Sequence, residues 1–156
     1  MKAVDTKREA LAATGLLADV RDRDINEIAR LCDVVHVDAG MRLTMQDTLG
    51  QECFVIAAGT ASVAVNGDVI ATIGSGDVAG EVSLLDHGPR TATVVATSPM
   101  TLLVFAPREF RTVMATYPQV ARRVAIGLGA RLRQADARVA EVHQRPHRLL
   151  PRLLSP

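Results

Sequence analysis

Residues Ser62 to Ile73 read SVAVNGDVIATI, two runs that alternate apolar with polar or small residues on either side of an Asn-Gly pair. Asn and Gly accept positive φ at both centres of a type I′ turn, the turn whose twist matches that of the strands it joins. The pattern predicts a tight antiparallel hairpin turning at Asn66-Gly67, and such a turn fixes which side chains share a face. From Val34 onward the chain is cut into short Val-, Ile- and Thr-rich runs by Gly40, Gly50, Gly59, Gly67, Gly74 and Gly76. Further strands are expected at Val34 to Val37, Met41 to Thr44, Cys53 to Ala57, Ala92 to Thr97 and Thr101 to Phe105. About eight short strands with no long helix between them predict a mainly β fold with flanking helices, a jelly-roll-like β-barrel rather than a parallel sheet.

Helical apolar spacing occupies residues 4 to 13 and 22 to 32, with Asp22 or Asp24 placed to cap the second segment by accepting from its first amides. Helical period returns after Pro107, which a first turn tolerates, and Pro118 repeats the device. Val120, Val124, Leu128, Leu132, Ala135, Val139 and Val142 step by four or three residues and form one stripe of a long final helix. Gly127 and Gly129 weaken that helix by up to ~1 kcal/mol each relative to Ala, which marks a close contact or a bend. The stripe serves either packing on the barrel or a subunit contact and movable lid. In the tail HQRPHRLLPRLLSP, Pro146 and Pro151 are expected to break any helix and leave a flexible end. The binding unit is expected over residues 1–142, with the barrel at about 33–106, C-terminal helices at about 107–142 and the tail at 143–156.

A chain of 156 residues is one domain with extensions, and 48% hydrophobic with 22% charged residues is globular composition. No apolar run approaches the roughly 18 residues of a membrane span, and the N-terminus MKAVDTKREALAATG lacks the apolar core of a secretory signal, so no membrane association and a cytoplasmic location are expected. Cys32 and Cys53, embedded in apolar sequence, read as buried free thiols. His36, His87, His143 and His147 contain no His-x-His spacing, and neither a Gly-x-Ser-x-Gly elbow nor a Walker lysine motif is present. No catalytic residue, metal or cofactor is therefore expected, and the chain reads as no enzyme. Charge is unevenly spread. Residues 121–156 hold eight arginines against Asp136 and Glu141, net +6, whereas the rest holds 10 basic and 15 acidic residues, net −5. The chain is a basic arm on an acidic body.

The stretch Gly80 to Val94, GEVSLLDHGPRTATV, carries an acid and an arginine at either side of an apolar turn-forming run. Gly80 to Leu85 fits a single helical turn, whose first amides, at Val82 and Ser83, point outward unpaired and suit an anion. Arg90 returns to the same place after the Asp86-His87-Gly88-Pro89 loop, and its planar fork gives two charge-assisted bonds to phosphate oxygens. A carboxylate beside a phosphate is repulsive, so Glu81 belongs there only opposite a hydroxyl or in a pair with Arg90. A sugar phosphate satisfies both conditions.

With CFVIAAGTASVAV and IGSGDVAGE upstream, this segment resembles the phosphate-binding cassette of the cyclic nucleotide-binding domain family, a likeness that covers roughly residues 15 to 140. The resemblance assigns Arg90 to the cyclic phosphate, with backbone amides at Ser83 and Ala92, and Glu81 to the ribose 2′-hydroxyl. It gives Gly80 the close approach to the sugar, and Val63 and Ile70 the apolar side of the base pocket. Some bacterial members place an arginine of the final helix over the base, and an ungapped count from Arg90 puts Arg131 there. Two departures from the family pattern stand out: Ala79 replaces a common aromatic, and Thr91 bears a hydroxyl compatible with either base. The resemblance implies a stand-alone sensor for cAMP, or alternatively cGMP, that signals by movement of its last helix to a protein effector, with a homodimer through that helix as a further implication. The alternatives are a ligand-free module of the same fold and a truncated transcription regulator. Only 14 residues follow Val142, too few for the two helices of a helix-turn-helix, so sequence-specific DNA binding is not expected.

Overall fold

The computed structural model describes the backbone of residues 2–50, 52–80 and 88–154 and, within them, the side chains of residues 7–50, 52–80 and 88–137. Two helices open the chain, α1 (Lys2–Ala13) and α2 (Asp22–Ala29), joined through a 3-10 turn at Gly15–Leu17. Asp22 and Asp24 lie inside the first turn of α2 rather than capping it; Arg21 stands at the cap with no side-chain bond. Two carboxylates there still favour the positive end of the helix dipole. The helix ends at Ala29, earlier than its apolar spacing reaches, because the chain pairs into a sheet from Cys32.

Among the described residues eight strands follow: β1 (Cys32–Val37), β2 (Arg42–Thr44), β3 (Cys53–Ala58), β4 (Ala61–Val65), β5 (Asp68–Ile73), β6 (Val78–Ala79), β7 (Thr93–Ala96) and β8 (Met100–Phe105). They form two four-stranded antiparallel sheets, ordered β1-β8-β3-β6 and β2-β7-β4-β5, in a jelly-roll-like fold. The β4–β5 hairpin turns at Asn66-Gly67 with φ of 53° and 85°, the conformation its sequence calls for. Val63 faces Ala71 and Ala64 faces Val69, which leaves Ile70 as the extra residue of a bulge.

The alternation along β3 and β8 builds two cores on one sheet. Phe54, Ile56, Met100 and Leu102 point between the sheets with Val63, Ala71, Ile73, Ala79 and Val94. Cys53, Val55, Ala57, Leu103 and Phe105 point the other way, onto a layer of helices that supplies Leu11, Leu16, Leu17, Ile25 and Ile28. The two C-terminal helices, α3 (Pro107–Thr116) and α4 (Pro118–Leu154), close that layer with Phe110, Val113, Val120 and Val124. Phe105 and Phe110 meet edge to face, with ring centroids 5.9 Å apart.

The stripe on α4 divides. Val120 and Val124 are buried and Leu128 packs on the same cluster, but Leu132 is 63% exposed. The first turns thus pack on the fold, and the stripe leaves it beyond Leu128. The expected break at Pro146 is not found: the backbone of α4 is helical to Leu154, through Pro146 and Pro151. Each proline removes one donor from the ladder, a local cost that the surrounding Arg, Gln and Leu, good helix formers, offset in part.

Candidate functional site

Because β2 and β3 belong to different sheets, the loop between them, residues 45–50 and 52, crosses from one sheet to the other. Arg90, just ahead of β7, is sewn to this loop through its backbone. Its N–H donates to the Thr48 carbonyl at 2.8 Å, and its own carbonyl accepts from Asp47 N–H at 2.9 Å. The residue is 6% exposed, an unusual depth for arginine. Its Nη2 donates to the Glu52 carbonyl at 2.8 Å and its Nη1 to the Gly80 carbonyl at 3.2 Å. Carbonyls are neutral acceptors, and these bonds fix the plane of the fork.

Gly80 adopts φ of +88°, open to glycine at little cost, and a Cβ there would collide with Arg90 Nη1 and stand 2.7 Å from the Glu52 carbonyl oxygen. The carbonyl of Val78, two residues earlier, accepts from Arg131 Nη1 of α4 at 2.7 Å. Two arginines from distant parts of the chain therefore grip the same short segment where it enters residues 81–87. The expected contacts of Glu81, Val82 and Ser83 fall in that stretch and lie outside the described residues.

The remaining expected positions divide between interior and rim. Val63 is buried between the sheets and Ile70 packs half-buried against the same cluster. Ala92 is half-buried, its carbonyl accepting from Thr44 Oγ1 at 2.9 Å, while Thr91 is exposed. On the far side of the clamp loop, Gln46 and Asn66 exchange two bonds. Gln46 Nε2 donates to Asn66 Oδ1 at 2.9 Å, and Asn66 N–H donates to Gln46 Oε1 at 2.8 Å. Gln46 N–H also donates to Thr93 Oγ1 at 3.0 Å, so one loop ties the hairpin turn, the clamp arginine and the start of β7 together.

Helix α4 is docked by polar contacts beyond its buried turns. Gln134 Oε1 accepts from the Thr72 N–H of edge strand β5 at 3.2 Å, and Gly127 would bring a Cβ to 3.4 Å from Asp77 Oδ1. The close contact anticipated at Gly127 is thus with the chain between β5 and β6. Near its start Arg123 pairs with Asp19 Oδ2 at 2.7 Å. Sequence reading had not singled out Thr48, Glu52, Gln46 or Gln134, and it took Gly50 for a strand boundary. Backbone acceptors carry no residue signature, and the two glutamines act across separations of 20 and 62 residues.

Both cysteines are buried and not joined in a disulfide, and burial pushes the Cys32 thiol up to about 11, with Lys7 opposing and Asp33 adding to the shift. Among the described residues no group of His, Cys, Asp and Glu is arranged to hold a metal, and no helix is long and apolar enough to cross a membrane.

The family model described as cyclic nucleotide-binding domain matches residues 34–117. The Pycsar effector protein PaPycTIR of Pseudomonas aeruginosa is 35% identical over 106 residues, 67% of this chain and 34% of that protein. The cyclic AMP receptor protein of Thermus thermophilus is 33% identical over 102 residues, 62% of this chain and 47% of its own length. The chain therefore spans about a third to a half of these relatives. Among solved structures, PKAR CBD2 with Sp-2Cl-cAMPS bound superposes with a TM-score of 0.69 at 20% identity, covering 85% of this chain and 91% of that one.

Proposed function

The chain belongs to the cyclic nucleotide-binding domain family, and from that premise we propose that it is a sensor that binds cAMP, or alternatively cGMP, and performs no chemistry on it. The observation that carries the reading is Arg90, buried beside the entry to residues 81–87 with its guanidinium plane fixed by two carbonyls. A planar, permanently charged fork suits two oxygens of a cyclic phosphate. Glu81 then takes the ribose hydroxyl, amides at Val82, Ser83 and Ala92 assist the phosphate, Gly80 admits the sugar, and Val63 and Ile70 line the base side. Thr91 stands at the rim, where its hydroxyl bears on the choice of base.

The output is conformational. Arg131, whose Nη1 donates to the Val78 carbonyl, reaches the base when nucleotide is bound, and α4 shifts with it. A ligand moves such an equilibrium only by its differential affinity for the two states. The stripe from Leu132 outward is then the surface offered to a second copy or a protein effector. The sensor occupies residues 1–142 with 143–156 as an appended tail, in the cytoplasm.

The test is titration calorimetry with cAMP and cGMP in parallel and 5′-AMP as the open-phosphate control. Saturable binding of one cyclic nucleotide with little for 5′-AMP supports the sensor. No binding of either, with no thermal stabilisation, refutes it in favour of a ligand-free module.

A further inference from the structure

We propose that Gly50 is a positioning residue for the clamp: the space left by its absent side chain seats the Arg90 guanidinium, and that seat sets the affinity for the cyclic phosphate. The inference rests on the functional reading above for its ligand, but its geometry stands apart from it. Gly50 does not lie in the left-handed region that makes glycine favourable at Gly67 and Gly80, so backbone conformation does not account for it. The space beside it does. A Cβ at Gly50 would collide with Arg90 Nε and stand 2.7 Å from both Cζ and Nη2. On the Nη1 side, a Cβ at Gly80 would collide in the same way, so the guanidinium lies between two glycines.

Arg90 has little room to retreat. Its N–H and carbonyl are both bonded to the loop that carries Gly50, at Thr48 and Asp47, and the bonds to Glu52 and Gly80 hold its head. A methyl group at Gly50 must therefore displace the guanidinium itself, turning the fork away from the orientation those carbonyls define. Neighbouring Leu49 is 84% exposed, so the loop around Gly50 otherwise tolerates a small side chain.

The experiment is a cycle of Gly50→Ala, Arg90→Ala and the double variant in the full chain, with two readouts: affinity for cAMP and cGMP by calorimetry, and the urea midpoint of the unliganded protein. Arg90→Ala weakens binding by roughly 30-fold to several thousand-fold, the usual effect of removing one member of a desolvated charge pair. Gly50→Ala is expected to weaken it by about tenfold or more, since a charge-assisted bond fails with misalignment, and to lower the midpoint. In the Arg90→Ala background the same change is expected to be silent in both readouts, within about twofold in affinity, because the group it would strike is gone.

Equal effects of Gly50→Ala in both backgrounds, or unchanged parent affinity, overturn the proposal. If Gly50→Ala alone does not fold, recovery of folding in the double variant supports it and failure of both overturns it. A parent that binds neither nucleotide refutes the sensor and with it the effect on affinity, while the midpoints still decide whether Gly50 seats Arg90.

Discussion

Replacing Arg131 by Ala withdraws a charged donor from the Val78 carbonyl, and Val78 is only 4% exposed. A hydrogen bond to a charged group contributes about 1.5 to 3 kcal/mol net. Val120 and Val124 remain buried in the variant, so the first turns of α4 stay on the fold and the loss falls on the segment beyond Leu128. In populations, that energy favours undocking of the segment by about 10- to 150-fold. Amides that open with this segment should exchange faster by the same factor, among them Thr72 N–H, whose acceptor Gln134 rides on it. Amides of β8, paired on both sides, should not change. Hydrogen exchange read by mass spectrometry on the unliganded protein, with peptides covering 68–73, 100–105 and 128–137, decides it. Acceleration below twofold in the first and last peptides, or equal acceleration in β8, refutes the docking role of Arg131.

Two further outcomes are expected. Gly67→Ala places a side chain at φ of 85°, and should cost about 1 kcal/mol, a fall of roughly 2 to 4 °C in Tm by calorimetry. Neither buried thiol should react with a disulfide reagent at neutral pH until the protein is denatured. Because the folded Cys32 holds its proton up to about pH 11 against an ordinary value of 9.0, the unfolded chain ionises first. Stability should therefore fall as pH rises from about 9 towards 11, and Cys32→Ala should reduce that slope in urea titrations.

The hairpin was legible because Asn66-Gly67 specifies its own backbone. Strand β3 was legible for a different reason: the unbroken run Cys53 to Ala57 has no polar face because it faces two cores. Strand β6 went unread, since two residues show no period and Val78-Ala79 pairs only because β3 offers an edge. The clamp arginine stood out through its spacing from Glu81 and its place after Pro89, yet nothing in the sequence marks what holds it. Two of its acceptors are backbone carbonyls at Glu52 and Gly80, 38 and 10 residues away, available from any residue type. The final helix was legible from its apolar spacing, and its stripe packs on the fold as far as Leu128, whereas the point where that stripe leaves the fold is a tertiary fact.

Strand β3 is one layer of backbone between two chemistries. Phe54 and Ile56 floor the space between the sheets, and Cys53, Val55 and Ala57 floor the helical layer. Interiors packed this densely do not absorb a displacement locally. A partition shared by two rooms cannot be moved for the benefit of one alone. Whatever swells or contracts the space between the sheets reshapes the seat of α1 and α2 across a single strand.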